Sequence, residues 1–183
     1  MSAFRIRAGL GLALLALAGC TPSASGPVAG EEYVNMPADR VIDGIEHVMT
    51  AGGVRRAKLL ADTAYMFDDS MKAELKAVHV TFFDDAGTDN AELTSLTGWL
   101  DGKTEAMTAR GNVVLRLYEG NRIIETAELH FDPERDRIWS DSATTLRQDG
   151  TVMHGDGFRA DGRLRNLEIM NPRGRMADVR FEP

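Results

Sequence analysis

The stretch at residues 112–117 reads NVVLRL, and its apolar side chains stand at every second position. Residues 78–82 (VHVTF) and 127–131 (AELHF) alternate in the same way. Successive side chains of a β-strand point to opposite faces, so each stretch predicts a strand with one apolar and one wet face. From residue 40 onward no long stretch carries apolar residues at helical spacing. The sequence therefore predicts an all-β fold.

Acidic and glycine-containing turns separate these strands at a nearly constant interval. Asp68, Asp101, Asp132 and Asp161 follow one another at 33, 31 and 29 residues, and Gly87, Gly120 and Gly150 at 33 and 30. A repeat of this length is typical of a stacked array whose units bury their apolar faces only against neighbours. Each unit of about 30 residues would supply two antiparallel strands. The stacked units would form two facing sheets, a sheet folded over on itself with an apolar lining.

Such an array does not close into a barrel, so it leaves an edge strand at each end. Edge strands present unpaired backbone N–H and C=O groups to which another chain can add a strand. We expect the C-terminal edge near residues 163–170. Arg163 and Arg165 would there discourage unwanted pairing.

The first 19 residues are typical of an export signal. Residues 1–7 carry two arginines, residues 8–18 are apolar, and residues 17–20 read LAGC. Small residues before a cysteine resemble the lipobox of bacterial lipoproteins, so residues 1–19 are expected to be a signal peptide and Cys20 the site of lipidation. The alternative is an uncleaved anchor helix, but the apolar run is shorter than the roughly 20 residues that span a bilayer.

Residues 20–39 are rich in Pro, Gly, Ser and acidic residues, and we expect them to form a flexible tether. Residues 40–183 would then form one β-domain. Cys20 is the only cysteine, which excludes an intramolecular disulfide. The formal net charge is −7, and loss of the signal arginines would make it more negative. Such a charge argues against nucleic acid as a partner.

Catalytic and metal-binding patterns are lacking in the sequence. His47, His79, His130 and His154 show no close zinc-type spacing, and no phosphate-binding loop or serine nucleophile elbow occurs. The acidic residues gather in turns, where Asp usually serves backbone hydrogen bonding. We therefore expect a protein that is not an enzyme, with no catalytic site, no metal and no cofactor.

Several strand-and-turn phrases occur here in the order found in a known family. They lie at residues 57–64 (AKLLADTA), 78–82 (VHVTF), 110–114 (RGNVV), 125–133 (ETAELHFDP), 138–141 (IWSD) and 155–158 (GDGF). Over about residues 43–170 the chain resembles the LptC family of lipopolysaccharide-export proteins. The resemblance implies an open, twisted β-jellyroll that holds the acyl chains of lipopolysaccharide in its interior and joins similar folds at its ends.

The resemblance also implies partners and a location. The partners are lipopolysaccharide, an inner-membrane ABC transporter that delivers it, and a periplasmic bridge protein that receives it by edge-strand pairing. Typical members keep one membrane-spanning helix, whereas this chain offers the lipobox cysteine Cys20 followed by Thr21. We expect a periplasmic protein held at a membrane through lipidated Cys20, at the inner membrane according to the family. Anchoring at the outer membrane is the alternative.

Together, the alternation and the resemblance indicate which residues line the lipid-binding interior. They are Val78, Val80, Phe82, Val113, Leu115, Leu117, Leu129, Phe131, Ile138 and Phe158. The alternative is that these side chains pack together as an ordinary sandwich core. The protein would then be a structural or assembly lipoprotein that contacts other proteins through its edge strands.

Overall fold

The computed structural model describes residues 38–175. The predicted signal peptide, Cys20 and the predicted tether up to residue 37 lie outside the described residues. The described part contains twelve strands in one antiparallel sheet. Its only helical element is a 3-10 turn at Glu119–Asn121. The all-β prediction is confirmed.

Six long strands are followed by six short ones. They are β1 (Arg40–Ala51), β2 (Val54–Phe67), β3 (Lys72–Phe83), β4 (Asp89–Asp101), β5 (Met107–Leu117), β6 (Arg122–Asp132), β7 (Arg137–Ser140), β8 (Thr144–Gln148), β9 (Thr151–Gly155), β10 (Gly157–Asp161), β11 (Glu168–Met170) and β12 (Arg173–Arg175). The sheet order is β1 to β7 and then β10 and β11, while β8 pairs with β6 and β9, and β12 pairs with β9. Strands β7 and β8 thus share β6 as their neighbour.

Aspartates at strand ends hold the turns in shape. An Oδ1 atom of Asp101 accepts hydrogen bonds from the backbone N–H groups of Lys103 (2.9 Å) and Thr104 (3.1 Å). Asp132 and Asp161 accept similar bonds at 2.9 and 3.0 Å from N–H groups further along the chain. These donors satisfy backbone groups that would otherwise be unpaired in a tight turn. The bonds from the turn also lower the pKa of Asp101 below its usual value.

Each long strand bends near its middle, and the bends line up as a crease across the sheet. Strands β2 and β3 pair at Ala61 and Val78 and again at Thr63 and Lys76, but not between these positions. Inward-facing positions on either side of the crease are three residues apart instead of two in β2, as at the buried Ala61 and Ala64, and four apart in β5, at Ala109 and Val113. The extra residue keeps the apolar side chains on the concave face after the bend. The crease consists of Gly44, Asp62, Ala77, Leu96, Gly111, Asn112, Ala127, residues 141–143, Asp156 and residues 171–172.

The crease divides the sheet into two wings, and the chain alternates between them. Wing I comprises residues 45–61, 78–95, 113–126, 144–155 and 173–175. Wing II comprises residues 40–43, 63–76, 97–110, 128–140 and 157–170. The turns of wing II carry the four aspartates of the predicted repeat, and the turns of wing I carry its three glycines. The two facing layers are therefore wings of one continuous sheet, and each long strand belongs to both.

Aromatic and aliphatic side chains join the wings across the interior. The rings of Phe82 in wing I and Phe131 in wing II meet edge to face with their centroids 5.2 Å apart. Their strands, β3 and β6, are separated by two others in the sheet, so this contact crosses the space between the wings. Such an aromatic pair contributes roughly 0.5–1.5 kcal/mol beyond its buried area. The buried apolar residues of both wings form one cluster.

One detail of the predicted alternation is wrong. The pattern of residues 127–131 predicts an inward Ala127, but Ala127 lies on the crease and is exposed. Thr126 is buried instead, and its hydroxyl group is 2.9 Å from the hydroxyl group of Ser140. The bend shifts the alternation by one residue, so only the part of the stretch beyond the crease follows the predicted faces.

Substitution of Gly111 tests how tightly the backbone is packed at the crease. Its φ is +77°, and an added Cβ would approach Leu96 side-chain atoms at 3.3 Å. Gly150 has a similar φ of +79° with nothing near the position of a Cβ. Gly111→Ala and Gly150→Ala should each lower the free energy of unfolding by about 1 kcal/mol through backbone strain. We expect a further loss at Gly111 alone, measured by urea denaturation. Equal losses would show that crowding at the crease is unimportant.

Candidate functional site: the interior of the folded sheet

The structure places all ten residues predicted as lining on the inner face between the wings. Each of them is at most 2% exposed. Wing I contributes those on β3 and β5, and wing II contributes those on β6, β7 and β10. The structure brings the ten together in one apolar cluster. Contact with lipid stays a prediction.

Cross-strand neighbours continue this lining along the sheet. Val80 lies opposite Leu93, Leu93 opposite Leu115, and Leu115 opposite Ile124. Residues directly opposite each other in an antiparallel sheet share a face, so these four form one aliphatic row. The row extends to Leu59 on β2 and to Leu146 on β8. The inner face is thus a continuous apolar surface over at least six strands.

Sequence reasoning missed about half of this surface. The missed residues lie on strands that alternate in the same way as the predicted ones, but the irregular step at the crease and frequent Ala and Thr residues obscure the alternation. A search for alternation that allows one irregular step per strand would have found these residues. The missed interior residues are Met49, Leu59, Leu75, Leu93, Leu100, Met107 and Ile124.

The apolar row becomes accessible at one end of wing I. Leu146 and Met153 are only partly buried, and they bound a cavity of about 200 Å³ together with Gln148, Asp149 and Thr151. Leu146 lies opposite Ile124 in the row and opposite Met153 on β9. The closed middle of the interior and this cavity therefore share the same row of side chains.

Each wing has a free margin, the end that carries its turns and lies away from the crease. Polar groups connect the free margins of the two wings. Arg163 donates hydrogen bonds to Asp85 at 2.5 Å and to Asp136 at 3.2 Å. Elsewhere along the margins Glu105 of wing II accepts a hydrogen bond from the backbone N–H of Thr50 in wing I at 2.7 Å. The edge strand β11 falls within the predicted residues 163–170, but Arg163 and Arg165 do not lie on it. Both belong to the turn between β10 and β11, and the edge strands are β11 and β12.

Histidines and acidic side chains do not converge on one point in the described residues. His79 lies 4.0 Å from Glu92, and His130 lies 2.9 Å from Glu128. Within residues 38–175 no three His, Cys, Asp or Glu side chains are placed to hold a metal ion. Nor do these residues include a helix whose length and hydrophobicity would let it span a bilayer.

Comparison with known proteins identifies the family. Residues 13–176 match the family model described as lipopolysaccharide-assembly, LptC-related. The chain belongs to the LptC family. The open antiparallel sheet folded on itself confirms the jellyroll that the resemblance to this family implies. Membership of the LptC family gives the protein a role in lipopolysaccharide transport. Proteins of the LptC family and their relatives are periplasmic.

One solved structure is similar over much of its length. It is LptH from Pseudomonas aeruginosa, described as the LptA-homologous periplasmic component of the lipopolysaccharide transport device of that organism. The sequences are 16% identical, the similarity covers 62% of this LptC-family chain and 80% of LptH, and the TM-score is 0.46. No curated protein matches the chain.

Leu115 should be a stability determinant, whereas its neighbour Arg116 should not. Leu115 is fully buried between the wings, and Arg116 is exposed on the outer face. We expect Leu115→Ala to lower the free energy of unfolding by about 2–5 kcal/mol, because truncation leaves a cavity. Arg116→Ala should change it by less than about 0.5 kcal/mol. Urea denaturation measures both, and similar effects would contradict the assignment of faces.

Asp85 should report on the bridge across the wing margins. The hydrogen bond from Arg163 is the main cause that holds the pKa of Asp85 below its ordinary value of 3.8, with smaller contributions from Arg165 and Arg56. An NMR titration of this carboxyl group should show the lowered pKa in the wild type. In Arg163→Ala the pKa should rise toward 3.8. The same pKa in both proteins would mean that the bridge does not form in solution.

Proposed function

We propose that the protein is a membrane-tethered periplasmic carrier of lipopolysaccharide. It receives the glycolipid from an inner-membrane ABC transporter and passes it to a periplasmic bridge protein of similar fold. The single observation that supports this proposal most is the continuous apolar inner face of a folded sheet whose edges stay unpaired in the described residues. The ten predicted lining residues would contact the acyl chains.

The wings meet in a way that suits a reversible ligand. Across the interior they touch through side chains such as Phe82 and Phe131 rather than through a shared backbone ladder. An acyl chain between them would replace one apolar contact by another, and each methylene buried gains about 0.8 kcal/mol relative to water. The inner surface can therefore close on itself when empty and hold aliphatic chains when the wings separate.

The edge strands support hand-over by strand pairing. In the described part of the chain β1 pairs only with β2, over a strand of 12 residues, and leaves its other side free. Ile42 and Val48 on β1 are each 41% exposed. A long edge strand with exposed apolar side chains is a template for addition of another strand. At the other end β11 and β12 each have one neighbour in the described residues.

Cys20 would supply the tether. Acyl chains on this residue would hold the domain at the periplasmic face of the inner membrane through the linker up to residue 39. A flexible linker of 20 residues would span on the order of 25 Å, which would let the domain turn between a transporter and a bridge. The proposed carrier needs no cofactor and catalyses no reaction. Its direction of transport depends on the energy that the transporter supplies.

A structural or assembly lipoprotein is the second candidate. The observation that favours it is the burial of all ten predicted lining residues, which leaves the interior of wing II and the middle of wing I filled by side chains. In this case the interior serves folding alone, and only the edge strands act, by pairing with other proteins. Both candidates use the same edges, so the interior decides between them.

Photo-crosslinking in living cells separates the two candidates. A photoreactive amino acid at Leu115 or Phe131 would face the interior, and the outward neighbours Arg116 and His130 provide matched controls on the same strands. For a carrier we expect a lipopolysaccharide adduct on irradiation at the inward positions and none at the outward ones. The adduct is detected by immunoblotting against both protein and glycolipid.

The contrary outcome is equally clear. If the exported and folded protein forms no glycolipid adduct at Leu115 or Phe131, the interior is a filled core and the carrier proposal fails. Protein adducts confined to positions on β1, such as Val48, would then support the assembly lipoprotein.

A further inference from the structure

The middle of the interior, where the ten predicted lining residues lie, is closed in this structure, so acyl chains can reach these residues only if the wings separate. The crease cannot serve, because continuous strands cross it between the wings. The free margins are the other candidate. There the turns of wing I approach the turns of wing II, and only side chains and single hydrogen bonds connect them.

Arg163 makes the densest of these connections. It lies in the turn after β10, in wing II, and its side chain is 18% exposed. Its Nε donates to Asp85 in the turn between β3 and β4 of wing I, and its Nη1 donates to Asp136 in the turn between β6 and β7 of wing II. The carbonyl oxygen of Arg163 accepts a hydrogen bond of 2.6 Å from the Nδ2 atom of Asn90, again in wing I. We call these four residues the Arg163 clasp.

The backbone beside the clasp is held in an unusual conformation. Leu164 has a φ of +61° and is buried, with 1% of its surface exposed. Positive φ is uncommon for a residue other than glycine, and it persists only where the surroundings enforce it. The turn that carries the clasp is therefore held in place by the burial of Leu164 as well as by the hydrogen bonds of Arg163.

The clasp lies next to an aromatic contact between the wings. Phe82 and Phe131 come near the ends of β3 and β6, and the turns that follow these two strands carry Asp85 and Asp136. Separation of the two turns would move apart the strand ends that bring these rings together. The same movement would uncover Leu164, which is buried in the turn that carries Arg163.

The ion pair between Arg163 and Asp85 is weaker than the apolar contact between the wings that lies behind it. The Asp85 side chain is 61% exposed, so its attraction to Arg163 is screened by water and salt. The apolar surfaces behind the clasp lose nothing when a hydrocarbon chain takes the place of the opposite wing. Opening of the clasp is therefore the step that separates the empty from the loaded form.

We propose that the Arg163 clasp is the gate through which acyl chains reach the interior between the wings. This inference rests on the proposed carrier function and adds the control of access to it. With the clasp closed, the lining stays buried. With the clasp open, the turn between β3 and β4 swings away from the turns of wing II, and the chains enter beside Phe82 and Phe131.

The test measures binding of fluorescently labelled lipopolysaccharide to the full-length purified protein by stopped-flow fluorescence. Arg163→Ala should bind faster than the wild type, by about fivefold, which is the upper range for loss of a partly exposed ion pair. The matched control is Arg147→Ala. It removes an arginine–glutamate pair of similar length, 3.0 Å to Glu125, on the outer face of wing I. Its binding rate should equal that of the wild type.

A reversible lock provides the second arm and does not depend on the stability of Arg163→Ala. Asp85→Cys and Arg163→Cys, in a Cys20→Ser background, are joined with a short cleavable bis-maleimide. The locked protein should fail to bind the labelled lipopolysaccharide, and cleavage of the linker by reductant should restore binding to the level of the unlinked variant. Circular dichroism confirms that both forms are folded.

The outcomes distinguish the gate from the function on which it rests. If the wild type binds and the locked protein binds at the same rate, the gate is wrong and the carrier function stands. A wild-type rate in folded Arg163→Ala would also overturn the gate. If no protein in the set binds the labelled lipopolysaccharide, the carrier function fails and the gate falls with it. Binding by Arg163→Ala but not by the wild type would support the gate, because it would mean that the closed clasp prevents access to the interior.

Discussion

The bend of every long strand at one line is the constraint on which the rest of the structure depends. A sheet with one apolar face must cover that face, and this chain has no α-helix in its described part to do so. Folding the sheet at the crease lets the face cover itself. The bend requires one additional residue in β2 and β3 and two in β5, and positive φ at Ala77, Gly111 and Asn112 shows where the backbone accommodates them.

Covering one wing with the other has a consequence for ligand binding. The contacts across the interior are interchangeable apolar contacts, exemplified by the ring pair of Phe82 and Phe131. In residues 38–175 the ladder hydrogen bonds join neighbouring strands of the same sheet, so separation of the wings does not require these bonds to break. The fold therefore separates the interactions that keep the sheet intact from those that keep it closed. A carrier of hydrocarbon chains needs this separation.

The outer face differs from the inner one in chemistry. On wing II it carries two stacked aromatic pairs, Phe67 with Trp99 and His130 with Trp139, and ion pairs such as that of Arg110 with Glu128. These cross-strand pairs support the sheet from outside without contributing to the interior. At the free margins, single polar side chains connect the wings: Glu105 and Arg163 each form a hydrogen bond from wing II to wing I. The proposed gate uses one of these few polar connections.

The amino-acid sequence alone determined the all-β class, the aspartate turns and the inward side of Val78, Leu115 and Phe131, because these depend on local alternation and turn chemistry. It did not reveal the crease: the three-residue step hides the alternation, so Leu59 and Leu93 were missed and Ala127 was placed on the wrong face. Only the tertiary structure brought Arg163 to Asp85, 78 residues away in the chain. That contact depends on how two wings approach each other, and no local pattern encodes a distance between margins.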